Sequence, residues 1–203
     1  MTQPAFESLS GRTINAVVVG ASAGGIDAML HIFSTLPAGY RLPIIALLHI
    51  PDERQSRLAE LFQQRLAIPV KEAADKEEIV PGTLHFASAG YHLSIEHDHT
   101  FSLSCEPPVH FSRPSIDILM ESAADSYGDQ LAGILLTGAN FDGAAGLKKI
   151  KEHGGLTVVQ DPDEAQVAVM PREALKYQVP DFVLPLAKIR ELLLFLNHVY
   201  GKN

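Results

Sequence analysis

The sequence predicts an α/β fold: a three-layer, doubly wound, mainly parallel sheet with an antiparallel β-hairpin insert. Three observations carry this. Short apolar runs alternate along the chain with stretches whose apolar residues recur at helical spacing. Several of the runs are apolar at every position, as strands covered by helices on both faces must be. One central segment alternates polar and apolar instead, the mark of a strand pair with one dry face.

Residues 1–13 are polar and are expected to form a flexible tail. Residues 14–203 read as one domain. Ile14 to Val19 is the first strand. Ile26, Met29, Leu30, Phe33 and Leu36 then mark one face of a helix, which Pro37 and Gly39 stop. Ile44 to Leu48 is a second buried strand, and Arg54 to Leu66 a second helix. Short extended pieces follow at Pro69 to Glu72 and Leu84 to Ala87. His92 to Glu96 and Thr100 to Ser104 form the hairpin. Pro114 opens a helix with Ile116, Leu119, Met120 and Ala123 on its inner face. Leu131 to Leu136 is a strand, followed by a helix to His153 that Gly154-Gly155 caps. Leu156 to Val159 is a strand, Pro171 to Tyr177 a helix, Phe182 to Leu184 a strand, and Leu186 to about Val199 the last helix.

Composition narrows the function. At 203 residues, 46% hydrophobic and 20% charged, the chain suits one sizeable core. A net charge of −8 argues against nucleic acid or an anionic membrane as the main partner. No long uncharged apolar run is present, and the first residues lack the apolar stretch of a signal peptide, so a cytoplasmic protein without membrane insertion is expected. The lone Cys105 permits no internal disulfide and reads as a passive apolar residue.

The informative stretch is Ala16-Val-Val-Val-Gly20-Ala-Ser22-Ala-Gly24-Gly25-Ile-Asp27, a strand, a sharp turn and a helix start. Small neighbours leave the Ser22 hydroxyl uncovered beside the free N–H groups that open the helix. Both a nucleophile and a phosphate cradle need that arrangement. His49 ends the second strand, and Asp142 lies in the loop after the Leu131 strand. In a parallel sheet all three fall at the carboxyl edge, where ligands of such folds bind. Serine, histidine and carboxylate are the members of a hydrolytic triad. Each also has a plain structural role open to it. Ser22 could be a turn or cap residue, His49 a strand-end histidine, and Asp142 the N-cap of the next helix. Their shared edge favours the triad. A dinucleotide site is disfavoured, because Ser22 stands where G-x-G-x-x-G needs glycine and His49 where an acid is wanted. The G-x-S-x-G elbow matches Gly20 to Gly24, but the order here is Ser, His, Asp rather than Ser, acid, His. His85, His92, His97 and His99 cluster around the hairpin; ligands on an exposed turn lack a rigid surround, so no metal site is assigned.

The blocks Gly20-Ala-Ser-Ala-Gly-Gly25, His49-Ile-Pro51, Arg113-Pro-Ser-Ile-Asp117, Leu136-Thr-Gly138 with Asp142-Gly-Ala-Ala-Gly146, and Met170-Pro-Arg-Glu-Ala174 occur in an order that resembles the catalytic domain of the chemotaxis protein-glutamate methylesterases, the CheB family. The resemblance runs from Ala16 to about Leu196. It implies a serine hydrolase that removes methyl esters from glutamate side chains of receptor helical segments, releasing methanol, and that can deamidate glutamine. It places the triad on Ser22, His49 and Asp142, and oxyanion or substrate contacts at Ala23, Ala139, Arg113 and Met170. It implies no metal and no organic cofactor. Two departures are visible. Ala23 stands where the family has threonine, and Ala139-Asn140-Phe141 replaces the usual Met-Gly pair and its neighbour. The family also carries an N-terminal receiver domain. The short stretch before Ile14 is not one, so a separate receiver or regulator is the expected further partner. The competing expectation is a non-catalytic, CheB-like binding or regulatory domain.

Overall fold

The first strand shows why the sheet forms. Ala-Val-Val-Val-Gly-Ala is β-branched at its centre, small at its ends and buried at every position. In the computed structural model, which describes residues 6, 9, 11–49 and 57–200, this strand, β1 (Ala16–Ala21), lies at the centre of a seven-stranded sheet. The other members are β2 (Ile44–Leu48), β3 (Val70–Glu72), β4 (Leu84–Phe86), β7 (Leu131–Leu135), β8 (Leu156–Gln160) and β9 (Phe182–Leu184). Their order is β3-β4-β2-β1-β7-β8-β9, and every pairing is parallel. A separate antiparallel pair joins β5 (His92–Ile95) to β6 (Phe101–Ser104).

Parallel strands need crossovers, and these carry the helices α1 (Gly25–Phe33), α2 (Leu58–Gln63), α3 (Ile116–Tyr127), α4 (Ala144–Glu152) and α5 (Val169–Tyr177), while α6 (Leu186–Tyr200) follows the last strand. Alternate residues of β1 feed two cores. Val17, Val19 and Ala21 meet Met29, Ile32 and Phe33 of α1 and Leu192, Leu193 and Leu196 of α6. Ala16 and Val18 belong with Ile116, Leu119 and Met120 of α3 and Leu147 and Ile150 of α4. Leu93, Ile95 and Phe101 give the hairpin its dry face on this second side. The result is three layers, doubly wound, with the hairpin added to one of them.

The expected elements are present with shifted ends. α1 stops at Phe33 rather than Leu36, although Leu36 stays buried. α5 starts at Val169, two residues before Pro171. The described part of the helix expected from Arg54 begins at Leu58, and residues 50–56, with Ile50 and Pro51 of the second block, lie outside the described residues. Phe6 and Leu9 fall in the stretch expected to be a flexible tail, yet both are buried. The Phe6 ring lies 5.7 Å from that of Phe182 and 5.6 Å from that of Phe195.

Topology places the site. The chain leaves β1 for β2 on one side and later returns to β7 on the other. The carboxyl ends of β1 and β7 therefore flank a switch point, where the connecting loops part and leave a crevice.

Candidate active site

Ser22 and His49 come together because of strand register. Ala21 pairs with Leu48, so the next residue of each strand is Ser22 and His49. The His49 N–H donates to Ala21 O at 3.0 Å, and the Ser22 N–H donates to Thr137 O at 2.9 Å. These bonds tie the ends of β1, β2 and β7 into one rim. The chain then turns sharply, with the Gly25 N–H donating to Ser22 O at 2.8 Å. Gly24 takes φ 79°, a conformation that favours glycine. A Cβ on Gly25 would lie 2.3 Å from a Leu48 methyl, so only glycine lets α1 start this close to the sheet. Ser22 and His49 line the same cleft, about 360 Å³ in volume, with Ala23, Asp27 and Gln166.

Asp142 reaches this rim from the loop after β7. Its Oδ2 lies 3.0 Å from His49 Nε2. The ring N–H points off that line, so the approach is close without being a linear hydrogen bond. Among the described residues, His49 Nδ1 has no hydrogen-bond partner. The Asp142 carboxylate is fully buried, and three donors hold it. Ser115 Oγ donates to Oδ1 at 2.8 Å, the Ile116 N–H to Oδ2 at 2.7 Å and the Asp117 N–H to Oδ1 at 3.0 Å. Two of these are the free amides that open α3, so the carboxylate also sits at the positive end of that helix. Burial alone pushes the Asp142 carboxyl up, but the His49 ring and the Asp117 and Ile116 amides outweigh it and hold the group below the ordinary aspartate range.

The structural alternative for Asp142 was the cap of its own helix. Instead it serves the neighbour's N-terminus, and Asp117 returns the arrangement. Asp117 Oδ1 accepts from the Gly143 N–H at 2.9 Å and the Gly146 N–H at 2.7 Å, at the start of α4. Here burial dominates. The Gly146 amide pulls the carboxyl down and the Asp142 charge pushes it up, and the group is raised to about 6. His110 Nε2 lies 3.4 Å from Asp117 Oδ2, and its ring meets that of Phe141 edge-on with centroids 4.4 Å apart.

The remaining expected contacts divide. Ala23 and Ala139 are both exposed, and among the described residues neither backbone N–H meets a protein acceptor. Only Ala23 of the two lines the cleft. Arg113 Nη1 donates to Cys105 O and Glu106 O, both at 3.1 Å, which braces the chain after β6. Met170 is buried, and its N–H donates to Gly138 O at 3.0 Å. Neither Arg113 nor Met170 borders the cleft.

Several residues at this rim escaped the sequence reading. Thr137 Oγ1 donates to Ala23 O at 2.9 Å and accepts from the Val167 N–H at 2.9 Å, and the Thr137 N–H donates to Gln160 Oε1 at 2.8 Å. The serine turn is thus fastened to the loop after β8. Ser115 and Asp117 lie in the Arg113-to-Asp117 block, whose order was visible but whose inner residues were given no task. Gln166 covers Gly24, and no sequence signal marked it.

The architecture is that of a doubly wound α/β protein whose ligand edge carries a serine, a histidine and a buried carboxylate. The chain belongs to the CheB methylesterase family, whose model matches residues 17–193. It is 50% identical over 182 residues to a putative protein-glutamate methylesterase/protein-glutamine glutaminase of Leptospira interrogans, covering 90% of this chain and 94% of that protein. It is 36% identical over 178 residues to the protein-glutamate methylesterase FrzG of Myxococcus xanthus, covering 88% of this chain and 53% of that protein. The crystal structure of the Thermotoga maritima CheB methylesterase catalytic domain superimposes with a TM-score of 0.86 at 31% identity, covering 91% of this chain and 99% of that one. The chain thus spans nearly all of the Leptospira protein and about half of FrzG.

Proposed function

We propose that this chain hydrolyses γ-glutamyl methyl esters on receptor-type helical segments, with Ser22 as nucleophile, His49 as base and Asp142 as the carboxylate that orients it. The observation that carries the reading is the meeting of Ser22 and His49 across the β1–β2 register with Asp142 Oδ2 3.0 Å behind the ring. The names of the Leptospira and Myxococcus relatives supply the substrate class.

The reading gives each ring nitrogen a task, supported by the position of Asp142. His49 Nε2 faces the anion and carries the proton, leaving the Nδ1 lone pair free. Nδ1 takes the Ser22 proton as the oxygen attacks the ester carbonyl. The resulting oxyanion rests on the N–H groups of Ala23 and Ala139. His49 then protonates departing methoxide, and methanol leaves. Water attacks the acyl-serine, His49 takes its proton, and the second collapse returns the proton to Ser22 and frees the glutamate. The same steps on a glutamine side chain release ammonia, in keeping with the glutaminase part of the Leptospira protein's name. Met170 and Arg113 act from behind the site, packing on Gly138 and bracing the loop after β6. No step calls for a metal or an organic cofactor.

The reading includes a cytoplasmic location and a separate receiver domain or regulator as a further partner. Among the described residues no helix is long and apolar enough to cross a membrane. The test is methanol release from methylated chemoreceptor membranes. The chain is expected to release it, and Ser22→Ala to abolish release. Retained release by Ser22→Ala would refute the assignment of the nucleophile.

A further inference from the structure

Ser115 immediately precedes α3, where a serine hydroxyl ordinarily accepts from the helix's free amides. It does not do so here, because its side chain makes no cap bond. Its hydroxyl donates instead to Asp142 Oδ1 at 2.8 Å, and Asp142 takes over the cap by accepting the Ile116 and Asp117 amides. The serine is itself held. Its N–H donates to His92 Nδ1 at 3.2 Å, and His92 Nε2 lies 3.2 Å from Pro107 O. The carbonyl can only accept, so His92 carries its proton on Nε2 and keeps Nδ1 open for the Ser115 amide. His92 and Ser115 are both fully buried. A connected run of groups therefore extends from Pro107 through His92, Ser115 and Asp142 to the His49 ring.

The neighbouring carboxylate gives this run a purpose. Asp142 and Asp117 are buried together and repel each other when both are charged. The pair has one comfortable arrangement, with Asp142 the better anion. The two α3 amides hold one oxygen each, Ile116 on Oδ2 and Asp117 on Oδ1, and the Ser115 hydroxyl is the second donor on Oδ1. The Ser115 hydroxyl supplies a donor whose direction sets the carboxylate plane and leaves Oδ2 turned to His49.

We propose that Ser115, oriented by His92, is a positioning residue for the hydrolytic step, holding the Asp142 carboxylate in the plane that turns Oδ2 toward His49. The inference rests on the hydrolase reading above and extends it. The groups facing the pair are His49, His110 and, on α3, Glu121, with His92 behind Ser115.

The test is the rate of inactivation by a fluorophosphonate followed against pH. Ser115→Ala is expected to lower the limiting inactivation rate about tenfold or more with little change in reagent affinity. The acid limb of the profile is expected to move to higher pH, because a carboxylate deprived of a donor holds a proton more readily. Ser115→Thr keeps the hydroxyl and is expected to restore both rate and limb. If Ser115→Ala does not fold, Ser115→Gly replaces it, as glycine is tolerated at this position. A folded hydroxyl-free variant with the rate within twofold and the limb unmoved overturns the proposal. So does a folded Ser115→Thr displaced as far as the alanine, or the failure of both hydroxyl-free chains to fold, which makes Ser115 a folding residue. A wild-type chain that takes no label at Ser22 refutes the hydrolase reading instead.

Discussion

Asp142 and Asp117 are the same residue type, buried side by side, yet their carboxyl groups move in opposite directions. The His49 ring and the Asp117 and Ile116 amides outweigh burial and hold Asp142 below its ordinary range, while burial raises Asp117 to about 6. Asp142→Asn is expected to lower the rate of ester hydrolysis roughly 10³–10⁴-fold, because an amide no longer fixes the tautomer that leaves His49 Nδ1 basic. Steady-state methanol release measures it. Asp117 gives a stability prediction of definite sign. Its folded value lies above the unfolded value of 3.8, so the native state binds the extra proton between about 4 and 6, and Asp117 makes stability fall as pH rises through that window. Asp117→Asn keeps an oxygen for the Gly143 and Gly146 amides, both of which use Oδ1. Urea unfolding at pH 4, 5, 6 and 7 is expected to show this fall in the parent and a flatter profile in the variant. Asp142 works the other way, since its contribution is present above pH 4 and is lost as pH drops through its lowered folded value. At this scale the placement of Ser22, His49 and Asp142 at one rim was readable in the sequence, because each follows a strand and strand ends show in the apolar runs. Ser115, His92 and Thr137 were given no role at the site. Their partners are 15 to 114 residues away, and no local pattern encodes such pairings.

The elements matter through α3 and α4, which exchange carboxylates at their N-termini. Each helix is thereby fixed against the loop of the other, and the loop before α4 is the one that carries Asp142. α3 also passes very close to β1. A Cβ on Gly20 would lie 2.4 Å from Ile116 Cγ2. Gly20→Ala must therefore push away the turn whose amides hold Asp142. It is expected to cost about 1–3 kcal/mol in urea unfolding and to reduce hydrolysis by folded protein as well. Gly39→Ala meets nothing within 4 Å and is expected to change neither. Helix positions were legible from 3.6-residue spacing, and their ends less so. α1 stops at Phe33 although Leu36 continues the apolar face, because Leu36 is buried from the turn that follows. The exchange of caps was hidden: an aspartate two residues before a helix looks like its own cap, and only tertiary packing shows that it serves another.

For the whole molecule, alternation of apolar runs and amphipathic stretches was enough to predict a doubly wound sheet with a hairpin. Parallel strands buried on both faces can hardly be read otherwise. The order of the seven strands was not readable, since it depends on which crossovers pass above and which below the sheet. The N-terminal residues were read by polarity, and two apolar side chains within them found places in the core. Phe6 packs against Phe182 and Phe195, at the edge of the sheet remote from β3. Phe6→Ala is expected to destabilise the fold by about 3 kcal/mol in thermal or urea unfolding, while the rate per folded molecule stays unchanged. A matching loss of rate would mean that this edge communicates with the site.

The central claim concerns one oxygen atom, on Ser22. Its most direct measurement is mass spectrometry of the intact chain and its peptides after treatment with a fluorophosphonate at neutral pH. The account predicts a single adduct on Ser22, formed by the parent chain and absent when His49 is replaced by alanine. An unmodified chain, or an adduct on another serine that survives Ser22→Ala, would contradict it.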